Sequence, residues 1–203
     1  MHKRRLFGSA KIRRKSAADL KSEYYIVGLG NPGGRYEKTR HNAGFDVVTI
    51  LSQRHDIAVR MHQFTARLGK GCICGKKVVL AMPQTYMNRS GESVKAMAAA
   101  LGIGSKQLIL VYDDMDLPPG TVRIKEKGSA GTHNGMRSVI YQLQTDEIVR
   151  VRVGIGKATK DTVDFVLEKH DDTQTAFDSL GQAADAVETI IKHGINEAQN
   201  RFN

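Results

Sequence analysis

The chain has 203 residues, 40% hydrophobic and 26% charged, with 4 prolines, 20 glycines, 2 cysteines and a formal net charge of +10. That length and balance suit one domain with a real apolar core, and they exclude a fibrous, wholly disordered or disulfide-framed chain. The 31 Lys and Arg against 21 Asp and Glu point to a polyanionic partner, and residues 1–23 (net +6) and 161–203 (net −6) cancel, so 24–160 carries the whole +10.

Residues 1–23 are basic, poor in large apolar side chains and without sustained periodicity; they are read as a disordered basic arm. Their Arg-rich, acid-poor composition also fits an organellar transit segment, and an upstream start codon is a third reading. Residues 24–203 form the domain. YYIVGLG (24–30) is a short apolar run closed by glycines, the pattern of a buried strand entering a loop. His41 to Arg54 has helical spacing through Phe45, Val48 and Leu51, and Ile57 to Arg60 is strand-like. Phe64 to Ile73 and Lys76 to Met82 read as a hairpin around Gly75, which places Cys72 and Cys74 as reduced thiols. Ser90 is placed to cap a helix reaching Leu101. LILVY (108–112) is a second buried strand, followed by the acidic turn DDMD. Thr121 to Lys125 alternates as a half-exposed strand. A Gly-rich loop (128–135) opens a helix through Leu143, VRVRVGIG (149–156) is the last strand, and 161–169 and 172–193 read as helices stopped by Gly194. The expected fold is therefore α/β: a single-domain three-layer sandwich with a mixed, mostly parallel sheet and helices on both faces. No apolar run approaches the ~18–20 residues of a membrane helix.

Several motifs invite function and lack its context. Gly28-Leu-Gly30-Asn-Pro-Gly33 matches a dinucleotide fingerprint, but a polar loop separates the glycines from the helix, and no acidic residue ends the next strand. Gly71 to Lys77 is one residue short of a phosphate-binding loop and lacks its terminal Ser/Thr, so it is read as a hairpin turn. The polar residues at strand ends and helix starts are more informative: Asn31, His41-Asn42, Asn88, Asp113, Asp114, Asp116 and His133-Asn134. Taken singly, each Asn is a turn or cap residue, each His a surface or capping residue, and DDMD a solvated turn or a Mg²⁺ ligand set. If those strand ends converge, one cleft gathers a His, an Asp and three amides: a general base, a carboxylate to hold its tautomer, and donors for a carbonyl and its oxyanion. His2, His55, His62, His170 and His193 are left at the surface.

IVGLGNPGGRYEKTRHNAGF (26–45), MPQTYMNRSGESV (82–94), VYDDMDLPPGTVRIKEKGSAGTHNGMRSVI (111–140) and VRVGIGK (151–157) resemble, in order, the bacterial-type peptidyl-tRNA hydrolases. The resemblance runs from about Tyr24 to near the C-terminus and implies an enzyme that hydrolyses the ester between peptide and the 3′-terminal ribose of tRNA. On that resemblance His41 is the general base for water and Asp113 its carboxylate partner. Asn31 and Asn88 hold the peptide main chain and reacting carbonyl, Asn134 orients the water or the oxyanion, and Tyr36 and Met87 wall the peptide and terminal-adenosine pocket. It implies no metal and no cofactor. Lys125 and Arg152 fall where the family grips tRNA backbone phosphates near the acceptor end, and charge alone adds Lys127, Arg137 and Arg150 as phosphate contacts, with a solvated basic face as the alternative. Thr132 stands where family members commonly have a second Gly. The expected partner is tRNA, with no membrane and no obligate protein partner, for a cytoplasmic monomer. Two other classes compete: a catalytically inactive RNA-binding relative, similar to plastid splicing factors, and a nucleotide-binding oxidoreductase.

Overall fold

The computed structural model describes residues 17–157, 162–169 and 174–203. Within them the strands are β1 Tyr24–Gly28, β2 Met61–Gln63, β3 Ala66–Ile73, β4 Lys76–Pro83, β5 Leu108–Asp114, β6 Val122–Lys125 and β7 Val149–Gly154. The helices are α1 Ala43–Arg54, α2 Ser90–Leu101, α3 Asn134–Leu143, α4 Thr162–Leu167, α5 Gln174–His193 and α6 Ile195–Phe202. One sheet runs in the order β2-β3-β4-β1-β5-β7-β6. The pairs β1/β4, β1/β5 and β5/β7 are parallel, so β4, β1, β5 and β7 point their carboxyl ends the same way. The β2-β3-β4 meander and β6 are antiparallel, and parallel pairing is thus confined to the centre of the sheet.

Alternation along the strands builds the three layers. Ile26, Val78, Leu80, Ile109, Val111 and Val151 face α1, α5 and α6, whereas Tyr25, Val27, Val79, Ala81, Leu108 and Leu110 face α2 and α3. Gly28 and Gly44 explain the glycine run at the first strand. A Cβ on Gly28 would lie 2.1 Å from the Gly44 oxygen, and one on Gly44 would lie 2.3 Å from the Val111 oxygen. The glycines serve the close approach of α1 to β1 and β5, not a nucleotide.

Several expectations change at the edges of elements. Ser90 is the first residue of α2 and makes no capping bond: a 3₁₀ turn, Met87–Arg89, precedes the helix and supplies its entry. Ile57 to Arg60 is irregular chain. The strand there is β2, and Phe64 and Thr65 form its turn into β3 with φ of 54° and 51°. Cys74 and Gly75, at φ 50° and 78°, make the β3–β4 turn, with both thiols free and exposed. Gly194 ends α5 but also begins α6, which packs on β6. At the amino end Ala17–Leu20 forms a 3₁₀ turn and Leu20 is fully buried in the α2 layer, so the fold reaches back before Tyr24. The arm over 1–16, His2 and His170 lie outside the described residues.

Candidate active site

The four parallel strands deliver their carboxyl ends to one rim, as strand ends in an open α/β sheet do. Asn31 follows β1, Asn88 follows β4, Asp113 lies at the end of β5, and Arg152 of β7 and Lys125 of β6 sit two residues out of register on adjacent strands. A cleft of about 440 Å³ opens there, lined by Asn31, His41, Met87, Asn88, Asp113, Lys125, Asn134 and Arg152. Its other walls are the 128–133 loop and residues of α4. Tyr36 does not line it. Its ring stands edge-on to Tyr86 at 6.4 Å, and Tyr86, which the sequence reading passed over, takes the rim position.

His41 lies in a 3₁₀ turn, Arg40–Asn42, that enters α1, and the Gly28–Gly44 contact brings that turn against the end of β5. Its Nδ1 is 3.0 Å from both carboxylate oxygens of Asp113, and both side chains are buried. A carboxylate accepts, so Nδ1 carries the proton and Nε2 is left as the basic nitrogen. His133 supplies a second imidazole. Its Nδ1 accepts the Met136 N–H at 3.0 Å, capping α3, so its Nε2 carries the proton and donates to Asp113 Oδ1 at 3.1 Å. The ring also packs on Tyr112 at 4.7 Å. The sequence sets His133 among the polar residues at strand ends and helix starts and, taken singly, makes it a surface or capping residue. It is a cap, and that bond is what aims its other nitrogen at Asp113.

Asp113 thus receives two imidazole N–H donors in a nearly dry setting. Burial alone would raise its pKa, but electrostatic attraction to the two imidazoles and their hydrogen bonds outweigh it and hold the carboxyl well below the usual carboxylate range. The three side chains place donor atoms within 4.8 Å of one another, a spacing a metal ion also accepts. The two fixed tautomers account for each contact in the cluster without one. Asp114 is engaged as well: its Oδ2 accepts from Arg152 Nε at 2.5 Å and its Oδ1 from the Asp116 N–H.

The amides are braced by the protein. Asn42 Oδ1 accepts the Asn31 N–H at 2.8 Å, and Asn42 Nδ2 donates to the Asn31 carbonyl. Asn31 Oδ1 in turn accepts the Met87 N–H at 2.8 Å, which leaves Asn31 Nδ2 as its donor toward a ligand. Asn134 Oδ1 accepts from Arg137 at 3.2 Å, and its Nδ2 is likewise left to donate. Asn88 is exposed at the rim and Met87 is buried beneath it.

Charge alone misassigned Arg150. Its side chain is buried, and its guanidinium donates to the carbonyls of Gly128, Ser129, Asp146 and Ile148 at 2.7–3.2 Å. Each N–H spent on a carbonyl is unavailable to a phosphate, so Arg150 pins the loop that carries His133 and Asn134. Arg137 is committed to Gly131 and Asn134. Lys127 is exposed and outside the cleft wall.

An imidazole–carboxylate pair at the carboxyl rim of an α/β sheet, flanked by amide donors, is a side-chain set of the kind hydrolytic enzymes carry. The chain belongs to the peptidyl-tRNA hydrolase family, whose pattern matches residues 25–203. A peptidyl-tRNA hydrolase of Alkaliphilus oremlandii is 46% identical over 183 residues, spanning 89% of this chain and 99% of that protein. One from Chloroflexus aurantiacus is 49% identical over 185 residues, with 89% and 98% coverage. The crystal structure of the peptidyl-tRNA hydrolase from Acinetobacter baumannii superposes with a TM-score of 0.83 at 33% identity, covering 89% of this chain and 94% of that one.

Proposed function

We propose that the protein hydrolyses the ester of peptidyl-tRNA, releasing free tRNA and the peptide, with His41 as the base. The observation that carries this reading is the contact of His41 Nδ1 with both oxygens of Asp113: a carboxylate only accepts, so the proton sits on Nδ1 and Nε2 is left to take one from water. The resulting hydroxide attacks the ester carbonyl, and His41 carries the proton as an imidazolium beside an ionised Asp113. Negative charge gathers on the carbonyl oxygen, where Nδ2 of Asn134 is the stabilising donor. Collapse expels the ribose oxygen, which takes the proton back from Nε2. Asn31 and Asn88 hold the peptide main chain, Met87 floors the pocket, and Tyr36 acts through Tyr86.

The turnover needs no metal on this reading. A ribose oxygen is an adequate leaving group for His-assisted water, and the two carboxylates best placed to ligate Mg²⁺, Asp113 and Asp114, are already held by His41, His133 and Arg152. Lys125, exposed at the cleft mouth, and Arg152, held by Asp114, receive the phosphate backbone of the acceptor end. The protein acts as a monomer in the compartment of translation, the cytoplasm, and no helix among the described residues is long and apolar enough to cross a membrane.

Incubation of the protein with N-acetylaminoacyl-tRNA tests the reading. Free tRNA is released by the wild type, and His41→Ala lowers kcat by about 10²–10⁴-fold. Undiminished release by His41→Ala removes His41 as the base, and no release by the wild type favours the RNA-binding relative.

A further inference from the structure

The order of strands across the sheet lays the site out along a line. Lys125 on β6 and Arg152 on β7 stand at one end, Asp113 on β5 is central, and Asn31 after β1 and Asn88 after β4 follow. With strands about 4.8 Å apart, RNA bound at Lys125 and Arg152 and an ester at His41 send the peptide across β1 and β4. The line does not stop there. A second cavity of about 470 Å³ lies beyond, between α1 and the Arg67–Met82 end of the β3–β4 pair, and Asn31 belongs to the walls of both. Asn42, the brace of Asn31, lines the second cavity as well.

The lining of this groove is polar and cationic. Lys38, Arg60 and Arg67 stand exposed around it, with Glu37 as the exposed acid. Asp46, on α1, is the other acid. Burial pushes its carboxyl up to about 6, against the pull of Lys38, so the acidic side of the balance is weakened near that pH. Phe45, Val59 and Met82 add an apolar strip, and Thr49 and Gln84 offer hydrogen-bonding groups.

We propose that this groove is an extended subsite for the peptide, taking residues upstream of the one esterified to tRNA and favouring acidic side chains among them. The inference rests on the hydrolase reading above and assigns its peptide path. The main chain crosses Asn31, whose free donor is Nδ2, and enters the groove within one or two residues at about 3.4 Å per residue. Arg60 and Arg67 then face side chains that the cleft itself never meets.

The test compares kcat/KM for three substrates on the same tRNA: N-acetylaminoacyl-tRNA, a tetrapeptidyl-tRNA with Asp at its two upstream positions, and one with Lys there. The wild type is expected to prefer the Asp tetrapeptide over the single-residue substrate by about tenfold, and over the Lys tetrapeptide by a smaller factor. Arg60→Glu with Arg67→Glu inverts the Asp-over-Lys preference. Thr49→Trp, which fills the groove without changing charge, brings the length ratio toward one. Turnover of all three substrates at equal kcat/KM by the wild type overturns the subsite and leaves the hydrolase reading standing. Absence of turnover on all three overturns both. If the double variant keeps the peptide ratios but loses affinity for a deacylated acceptor-stem minihelix, the groove holds RNA and the proposal falls.

Discussion

Nδ1 of His41 lies 3.0 Å from each carboxylate oxygen of Asp113, and Nε2 of His133 reaches Oδ1 of the same carboxylate at 3.1 Å. Asp113→Asn therefore changes what the turn of α1 sees. An amide offers either an oxygen or an NH₂, and nothing then specifies the tautomer that leaves His41 Nε2 basic. The expected loss in kcat is about 10²–10³-fold with little change in KM. His133→Ala removes one of two donors to Asp113 while leaving the other in place, and a smaller loss, about tenfold, is expected. Equal losses for the two variants in single-turnover assays would mean that His133 does more than support Asp113.

Two aspartates set opposite pH dependences. Asp113 has a depressed pKa in the folded state, so its contribution to stability is present above the usual carboxylate range and is lost as pH falls through the depressed value. Asp46 has a raised one, about 6, so its contribution is full below the usual carboxylate value and is lost as pH rises toward and through 6. Asp46→Asn is accordingly expected to gain about 1 kcal/mol relative to wild type at pH 7 and to show no gain near pH 4. Urea unfolding at the two pH values measures it, and a pH-independent difference would mean the carboxyl titrates normally.

Arg150→Ala leaves the carbonyls of Gly128, Ser129, Asp146 and Ile148 without their donor in a buried setting. A cost of at least about 3 kcal/mol is expected, a fall in Tm of about 10 °C for a chain of this size. Arg150→Lys recovers little of it, because one ammonium cannot span four carbonyls. Thermal unfolding with a Tm within 2–3 °C of wild type would show that the loop holds itself.

Lys125→Ala and Arg152→Ala are expected to weaken tRNA binding and to flatten the slope of log affinity against log salt by about one contact each. Removing Arg152 also unpairs Asp114, so its loss is the larger in affinity. An unchanged slope, read from binding isotherms at several salt concentrations, would take these two residues out of the phosphate path.

Much of the site was legible before any fold was known, because its residues sit where short-range signals are strongest. Asn31, His41, Asn88, Asp113 and Asn134 each follow an apolar run or open a helix, and parallel strands oblige such positions to share a rim. The hairpin at Cys74 and Gly75 was legible for a similar reason: two left-handed positions between alternating runs leave the chain little choice. Tertiary structure decided the partners. Arg150 and Arg152 are two residues apart in one strand and look alike as charges. One is buried against four carbonyls and the other meets a carboxylate at the cleft; both point to the same face of β7, and the difference is set by position along the strand, Arg150 level with Leu110 beneath the 128–129 carbonyls and Arg152 level with Tyr112 beside Asp114. His133 reads as a cap and is one, yet its second nitrogen gains a role only because β5 ends beside it. Composition located the +10 in residues 24–160, and only the packed chain separated the charges left for RNA from those spent on the protein's own carbonyls. Net charge sums over a chain, whereas hydrogen bonds are made one atom at a time.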